Sequence, residues 1–177
     1  MSIHRLNHAV LYVRDVERSV AFYRDVLGFG YVEGMAGLRG AAFLRAPGST
    51  NDHDLGLFEI GAQAASSPAG RGAVGLYHLA WEVDTLQDLD ELARRLADAG
   101  ALVGASDHST TKSLYGQDPD GLEFEIAWIV PAALLDDAAF AGRTSIRPLD
   151  LQREIARYGA TTPGGIGISR TAAQPTA

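Results

Sequence analysis

The segment NHAVLYVRD (residues 7–15) returns in altered form as YHLAWEVDT (77–85), and GLFEIG (56–61) returns as LEFEIA (122–127). The first pair sets His8 against His78, and the second sets Glu59 against Glu125. The same order of patterns fills both halves. Residues 6–13 alternate loosely and are rich in branched side chains, as a strand requires. Asp15 then precedes Val16, Val20, Phe22, Tyr23, Val26 and Leu27 at helical spacing, with Gly28 as a C-cap. FGYVEG, GAAFLRA and HDLGLFEIG follow as three strands separated by turn residues. The order restarts with GLYHLAWEV as a strand, Asp84 or Thr85 as a helix cap, and LQDLDELARRLADAG as an amphipathic helix ending at Gly100. ALVGA, KSLYGQD and LEFEIAW complete the second set of strands. Two copies of a repeat of about fifty residues are too few for a solenoid. They predict an α+β fold of two tandem βαβββ modules, forming a curved mixed sheet around a shared cavity.

Boundaries follow from composition. Module one spans residues 3–62, a small-residue linker 63–73, and module two 74–130, so that 1–130 makes one domain. Residues 131–159 read as a helical C-terminal extension, with LDLQREIARYG an amphipathic helix. Residues 160–177 lack periodicity and are expected to be disordered. A net charge of −7 and a pI near 5.1 argue against nucleic-acid and anionic-membrane partners. The absence of cysteine removes disulfides and thiolate metal sites. Charges interrupt the N-terminal apolar run, and IAWIVPAALL is too short to span a bilayer. A soluble, cytoplasmic protein is the expectation.

Among the five histidines, His4 reads as an ordinary strand or surface residue. His8 and His78 differ because the repeat places them at equivalent points of two first strands. Glu125 comes from the last strand of module two, the neighbour of its first strand in such a sheet. Two imidazoles and one carboxylate on one side of a metal match the facial donor set of non-haem Fe(II) oxygen chemistry. Glu123 shares the face of Glu125 but lies nearer the Asp118-Pro119-Asp120-Gly121 turn, which suggests a rim position. Phe58, Trp81, Phe124 and Trp128 suit either a cavity wall or plain core.

With these residues the chain resembles the vicinal oxygen chelate superfamily, which holds glyoxalase I, the bleomycin- and fosfomycin-resistance proteins and the extradiol catechol dioxygenases. The resemblance covers residues 3–130 and is greatest for the extradiol enzymes. It implies a metal-binding cavity with His8 from LNHAV, His78 from LYHLA and Glu125 from PDGLEFEI as ligands of Fe(II), less often Mn(II) or another divalent metal. It further implies that Tyr115, ten residues before Glu125, hydrogen-bonds the bound catecholate. His108, ending GASDH, would face a substrate hydroxyl. His53, in DHDLGLF, would serve as acid–base beside bound oxygen. The implied activity is ring cleavage of a small aromatic diol by O2, as in aromatic hydrocarbon catabolism, in a possible homodimer.

Two other readings remain open. A glyoxalase-like isomerase, epimerase or lyase would use a four-ligand cup of His8, Glu59, His78 and Glu125, leaving Tyr115, His53 and His108 without an evident task. A metal-free small-molecule-binding resistance protein would need none of the ligands.

Overall fold

The computed structural model describes residues 3, 5–33, 38–69 and 72–165. His4 lies outside them, as do residues 166–177. The chain divides into two compact units, Met1–Ala73 with Asp118–Leu122, and Val74–Gln117 with Glu123–Ala177. Each contains one mixed sheet, and with the four helices they make an α+β fold.

In the first unit the elements run β1 (Ala9–Val13), α1 (Val16–Asp25), β2 (Gly30–Tyr31), β3 (Ala41–Arg45) and β4 (Leu55–Glu59). The strand order is β1-β4-β3-β2, with β1 and β4 parallel and the other pairs antiparallel. Asp15 caps α1 by accepting the Arg18 N–H, and Gly28 takes a φ of 80° two residues after the Val26 cap. Val16, Val20 and Tyr23 of α1 are buried, as are Leu55 and Leu57 of β4, against which the helix packs. The Asp118–Leu122 turn joins this unit through side chains. Tyr23 donates its hydroxyl to Asp118 Oδ2 at 3.2 Å, and the Arg14 guanidinium pairs with Asp120 at 2.9 Å. Burial, then the Asp118 carboxylate, pushes the Tyr23 hydroxyl well above its usual pKa, so it remains a donor.

The second unit runs β5 (Leu79–Glu82), α2 (Leu86–Asp98), β6 (Leu102–Asp107), β7 (Thr111–Gln117), β8 (Glu123–Ile129), α3 (Asp137–Ala141), β9 (Arg147–Pro148) and α4 (Leu151–Tyr158). Its sheet order is β5-β8-β7-β6-β9, with β5 and β8 parallel. Thr85 and Asp88 form a capping box at the start of α2. Leu86, Leu89 and Leu96 of that helix are fully buried, as is Trp128, and Phe124 and Ile126 are nearly so. The first strands are shorter than their apolar runs: residues 6–8 and 76–78 lie ahead of the pairing, leaving His8 and His78 each one residue before a strand.

The C-terminal extension is integral to the second unit. β9 adds an edge strand beside β6. Residues 160–165, where composition suggests disorder, are tied down by backbone groups. Ala160 and Thr162 carbonyls accept from Gln87 N and Trp128 Nε1, while Gly164 N and Gly165 N donate to Asp84 and Ile129 carbonyls. A Cβ at Gly164 would meet Ile129 O and the Trp128 indole at 3.2 Å, tight enough that these neighbours would have to give by a few tenths of an ångström. No helix among the described residues is long and apolar enough to cross a membrane.

Candidate metal and diol site

Strand alternation divides β8 cleanly. Phe124, Ile126 and Trp128 go to the core, where α2 packs, and Glu125 goes to the opposite face. Glu125 is paired with Ala80 of β5 on one side and Tyr115 of β7 on the other. His78, two residues before Ala80, shares that face, and its Nε2 stands 3.0 Å from Glu125 Oε2. The other carboxylate oxygen, Oε1, accepts a hydrogen bond of 2.5 Å from the Ser113 hydroxyl. Tyr115 and His108 are joined by a 2.9 Å hydrogen bond between the phenol oxygen and Nε2. The Tyr115 ring lies 5.9 Å from the His78 ring. Burial, then the charges of Glu125 and Tyr77, raises the Tyr115 pKa against the opposing Ser113 hydrogen bond, and the phenol keeps its proton at neutral pH.

Within the first unit, His8 and His53 come together with ring centroids 4.6 Å apart, and Phe43 lies edge-on to His53 at 5.1 Å. His8 Nδ1 bonds Asn7 Oδ1 at 2.8 Å, and His53 Nδ1 bonds Asp52 Oδ2 at 3.0 Å. Among the described residues, the hydrogen bond of each ring is at Nδ1, and Nε2 is the nitrogen left for another partner.

Glu59 does not occupy the place that the repeat suggests. Glu125 pairs with Ala80, two residues after His78, whereas Glu59 pairs with Val13, five residues after His8. The residue two beyond His8 is Val10, and its partner is Gly56. Three residues of strand separate the two registers, about 10 Å. Glu59 also shares the parity of Leu55 and Leu57, on the face that α1 covers, and its Oε2 accepts the Val16 N–H at the helix start. A carboxylate there complements the helix dipole. The short match GLFEIG to LEFEIA aligns letters, but the pairing is offset.

Among the described residues no three His, Cys, Asp or Glu side chains form a group that could hold a metal ion. His78 and Glu125 lie together in the second unit, and His8 belongs to the first. The pair itself fits a divalent cation. Ligand atoms bound at about 2.0–2.2 Å and at right angles lie about 3 Å apart, the separation found between His78 Nε2 and Glu125 Oε2. His78 Nδ1 is buried with no hydrogen-bond partner among the described residues.

Ser113, a lone strand serine, carries no sequence motif. Only cross-strand geometry reveals it. Phe124 and Trp128 are core residues, whereas Phe58, Trp81 and Glu123 are half-buried.

A model of the Glyoxalase/Bleomycin resistance protein/Dioxygenase superfamily matches residues 5–126. A protein named catechol-2,3-dioxygenase from Bacillus subtilis (strain 168) is 34% identical over 128 residues, covering 71% of this chain and 42% of the relative. A manganese-dependent 2,3-dihydroxybiphenyl 1,2-dioxygenase from Geobacillus genomosp. 3 is 28% identical, covering 72% and 38% respectively. The chain thus spans less than half the length of these curated relatives. Among solved structures, a glyoxylase/bleomycin resistance protein/dioxygenase domain from Frankia sp. EAN1pec superposes with a TM-score of 0.58 at 26% identity, covering 71% of this chain and 92% of that one. A lactoylglutathione lyase from Agrobacterium tumefaciens gives 0.51 at 25% identity, covering 72% and 95%.

Proposed function

The chain belongs to the glyoxalase/bleomycin resistance protein/dioxygenase superfamily, and from that premise we propose that it is an extradiol dioxygenase, cleaving a small aromatic diol with O2 at a divalent metal. His8, His78 and Glu125 would hold the ion, Fe(II) or Mn(II). A bound ion would supply Lewis-acid binding of the ionised diol and a place for O2 beside it. The chain's own residues do the rest. Tyr115, held as a neutral phenol, donates a hydrogen bond to a diol oxygen. His108, bonded to Tyr115, orients that hydroxyl and meets the second edge of the substrate. His53 takes and returns a proton at Nε2, with Asp52 steadying the opposite nitrogen.

The observation that supports this reading best is the bonded Tyr115–His108 pair beside the His78–Glu125 pair on one sheet face. The names of the catechol and dihydroxybiphenyl relatives agree with it. The four-ligand isomerase needs Glu59 as a donor, and the engagement of that carboxylate at the α1 terminus counts against it. The test is anaerobic loading of the metal-free chain with Fe(II) or Mn(II), followed by catechol and air. A yellow ring-opened product with matching O2 uptake is expected. Metal binding without O2 uptake, across catechol and dihydroxybiphenyl, would refute ring cleavage.

A further inference from the structure

We propose that Ser113 is a positioning residue for Glu125, directing one oxygen of the carboxylate to a cation and withholding the other. The inference rests on Glu125 being a metal ligand, as in the function proposed above.

Ser113 lies on β7, between β6 and β8, and is fully buried. Directly across β8 from it stands Ala127, whose small side chain leaves room for the diagonal neighbour, Glu125. The serine hydroxyl reaches Glu125 Oε1 at 2.5 Å, the short end of the range for a hydroxyl on a carboxylate. His78 Nε2 faces Oε2 at 3.0 Å. The two oxygens therefore have different duties. Oε1 is committed to a donor on a central strand, and Oε2 is offered in the direction of His78. A glutamate without that anchor keeps its rotamer freedom and must lose it on binding the ion. A free carboxylate can also take the ion with both oxygens, using a position that the diol or O2 needs. The Ser113 hydrogen bond restricts the rotamer and makes Oε1 the poorer donor before the ion arrives.

The test titrates Mn(II) into the metal-free full-length chain and follows the loss of the free-ion EPR signal. Ser113→Thr and Ser113→Val form the decisive pair, since they have the same shape and differ only in the hydroxyl. The valine form is expected to bind Mn(II) about 10- to 100-fold more weakly than the threonine form, the usual cost of losing a partner behind a ligand. Threonine should stay near wild type. Ser113→Ala, with unfolding measured in the metal-free state, checks that the loss follows the hydroxyl rather than packing. Equal affinity for the threonine and valine forms overturns the proposal. If Glu125→Gln binds Mn(II) as well as wild type, Glu125 is not a ligand, and the function proposed above fails together with this inference.

Discussion

Replacing Lys112 by methionine is expected to destabilise the protein more than any single change to its partners. Lys112 is 1% exposed, and its Nζ lies 2.5 Å from Asp107 Oδ1, 2.9 Å from Glu154 Oε2 and 3.2 Å from the Ser109 carbonyl. Both carboxylates are as deeply buried as the ammonium. Methionine matches the volume but leaves two carboxylates facing an apolar sulfur. Breaking a buried pair by removing one partner costs about 3–5 kcal/mol. Some of that is recovered, because Arg147 reaches Asp107 Oδ2 at 3.3 Å and Arg153 reaches Glu154 Oε1 at 3.0 Å. Those guanidinium groups are exposed and solvent-screened, worth about 0–1 kcal/mol each. The net expectation is about 3 kcal/mol. Glu154→Gln keeps an acceptor and leaves Lys112 paired with Asp107, so about 1–2 kcal/mol is expected there. Urea unfolding at neutral pH measures both, with an unchanged m-value confirming that the same surface is exposed. A methionine variant as stable as wild type, or a glutamine variant costing more, would refute this reasoning. The consequence extends to the site, because Asp107 also accepts the Ser109 N–H at 2.7 Å and so shapes the turn that carries His108.

The same cluster gives a pH dependence. Burial alone would raise the Asp107 carboxyl, but the Lys112 hydrogen bond, the Ser109 N–H and the charges of Lys112 and Arg147 together hold it below its usual value. A depressed acid stabilises the fold fully above its unfolded value of about 3.9 and loses that contribution as pH falls through the folded value. The drop in urea midpoint from pH 6 to pH 3 should therefore be smaller in Asp107→Asn than in wild type; an equal drop would count against the assignment. Glu59→Gln should lose only the charge at the α1 terminus, about 0.3–1 kcal/mol, with Mn(II) affinity unchanged by titration. A large loss of affinity would restore the four-ligand cup. Tyr115→Phe should keep its metal while ring-cleavage turnover falls about 10- to 100-fold, the equivalent of one hydrogen bond to a charged oxygen. Unchanged turnover at full metal loading would remove Tyr115 from the substrate site.

What was legible in the sequence was whatever depends on local pattern. The helix over Val16–Asp25 and its Asp15 cap follow from spacing and a capping residue, and α2 follows from its capping box and leucines. The face of Glu125 follows from strand parity. What depends on pairing was hidden. Strand register placed Gly56, not Glu59, at the position matching Glu125, and no reading of single strands reveals an offset between them. Ser113 and the docking of residues 160–165 are long-range as well: a hydroxyl on a neighbouring strand, and carbonyls meeting Trp128 and Gln87. Low periodicity in the tail suggested disorder because it contains little to bury by itself. Residues 160–165 are held because other elements supply their hydrogen-bond partners.

The offset of Glu59 bears on the proposed chemistry. Duplication of one module gives an imidazole before each first strand, His8 before β1 and His78 before β5. It gives a carboxylate on the open face of only one partner strand, because the matching position in β4 is Gly56. A Cβ at Gly56 would lie in ordinary van der Waals contact with the Phe43 ring and the Val10 side chain, at 3.4 Å. A donor set of two imidazoles and one carboxylate leaves more of the cation's positions for substrates than a four-ligand set does. Chemistry that must bring both a diol and O2 to one ion requires that vacancy.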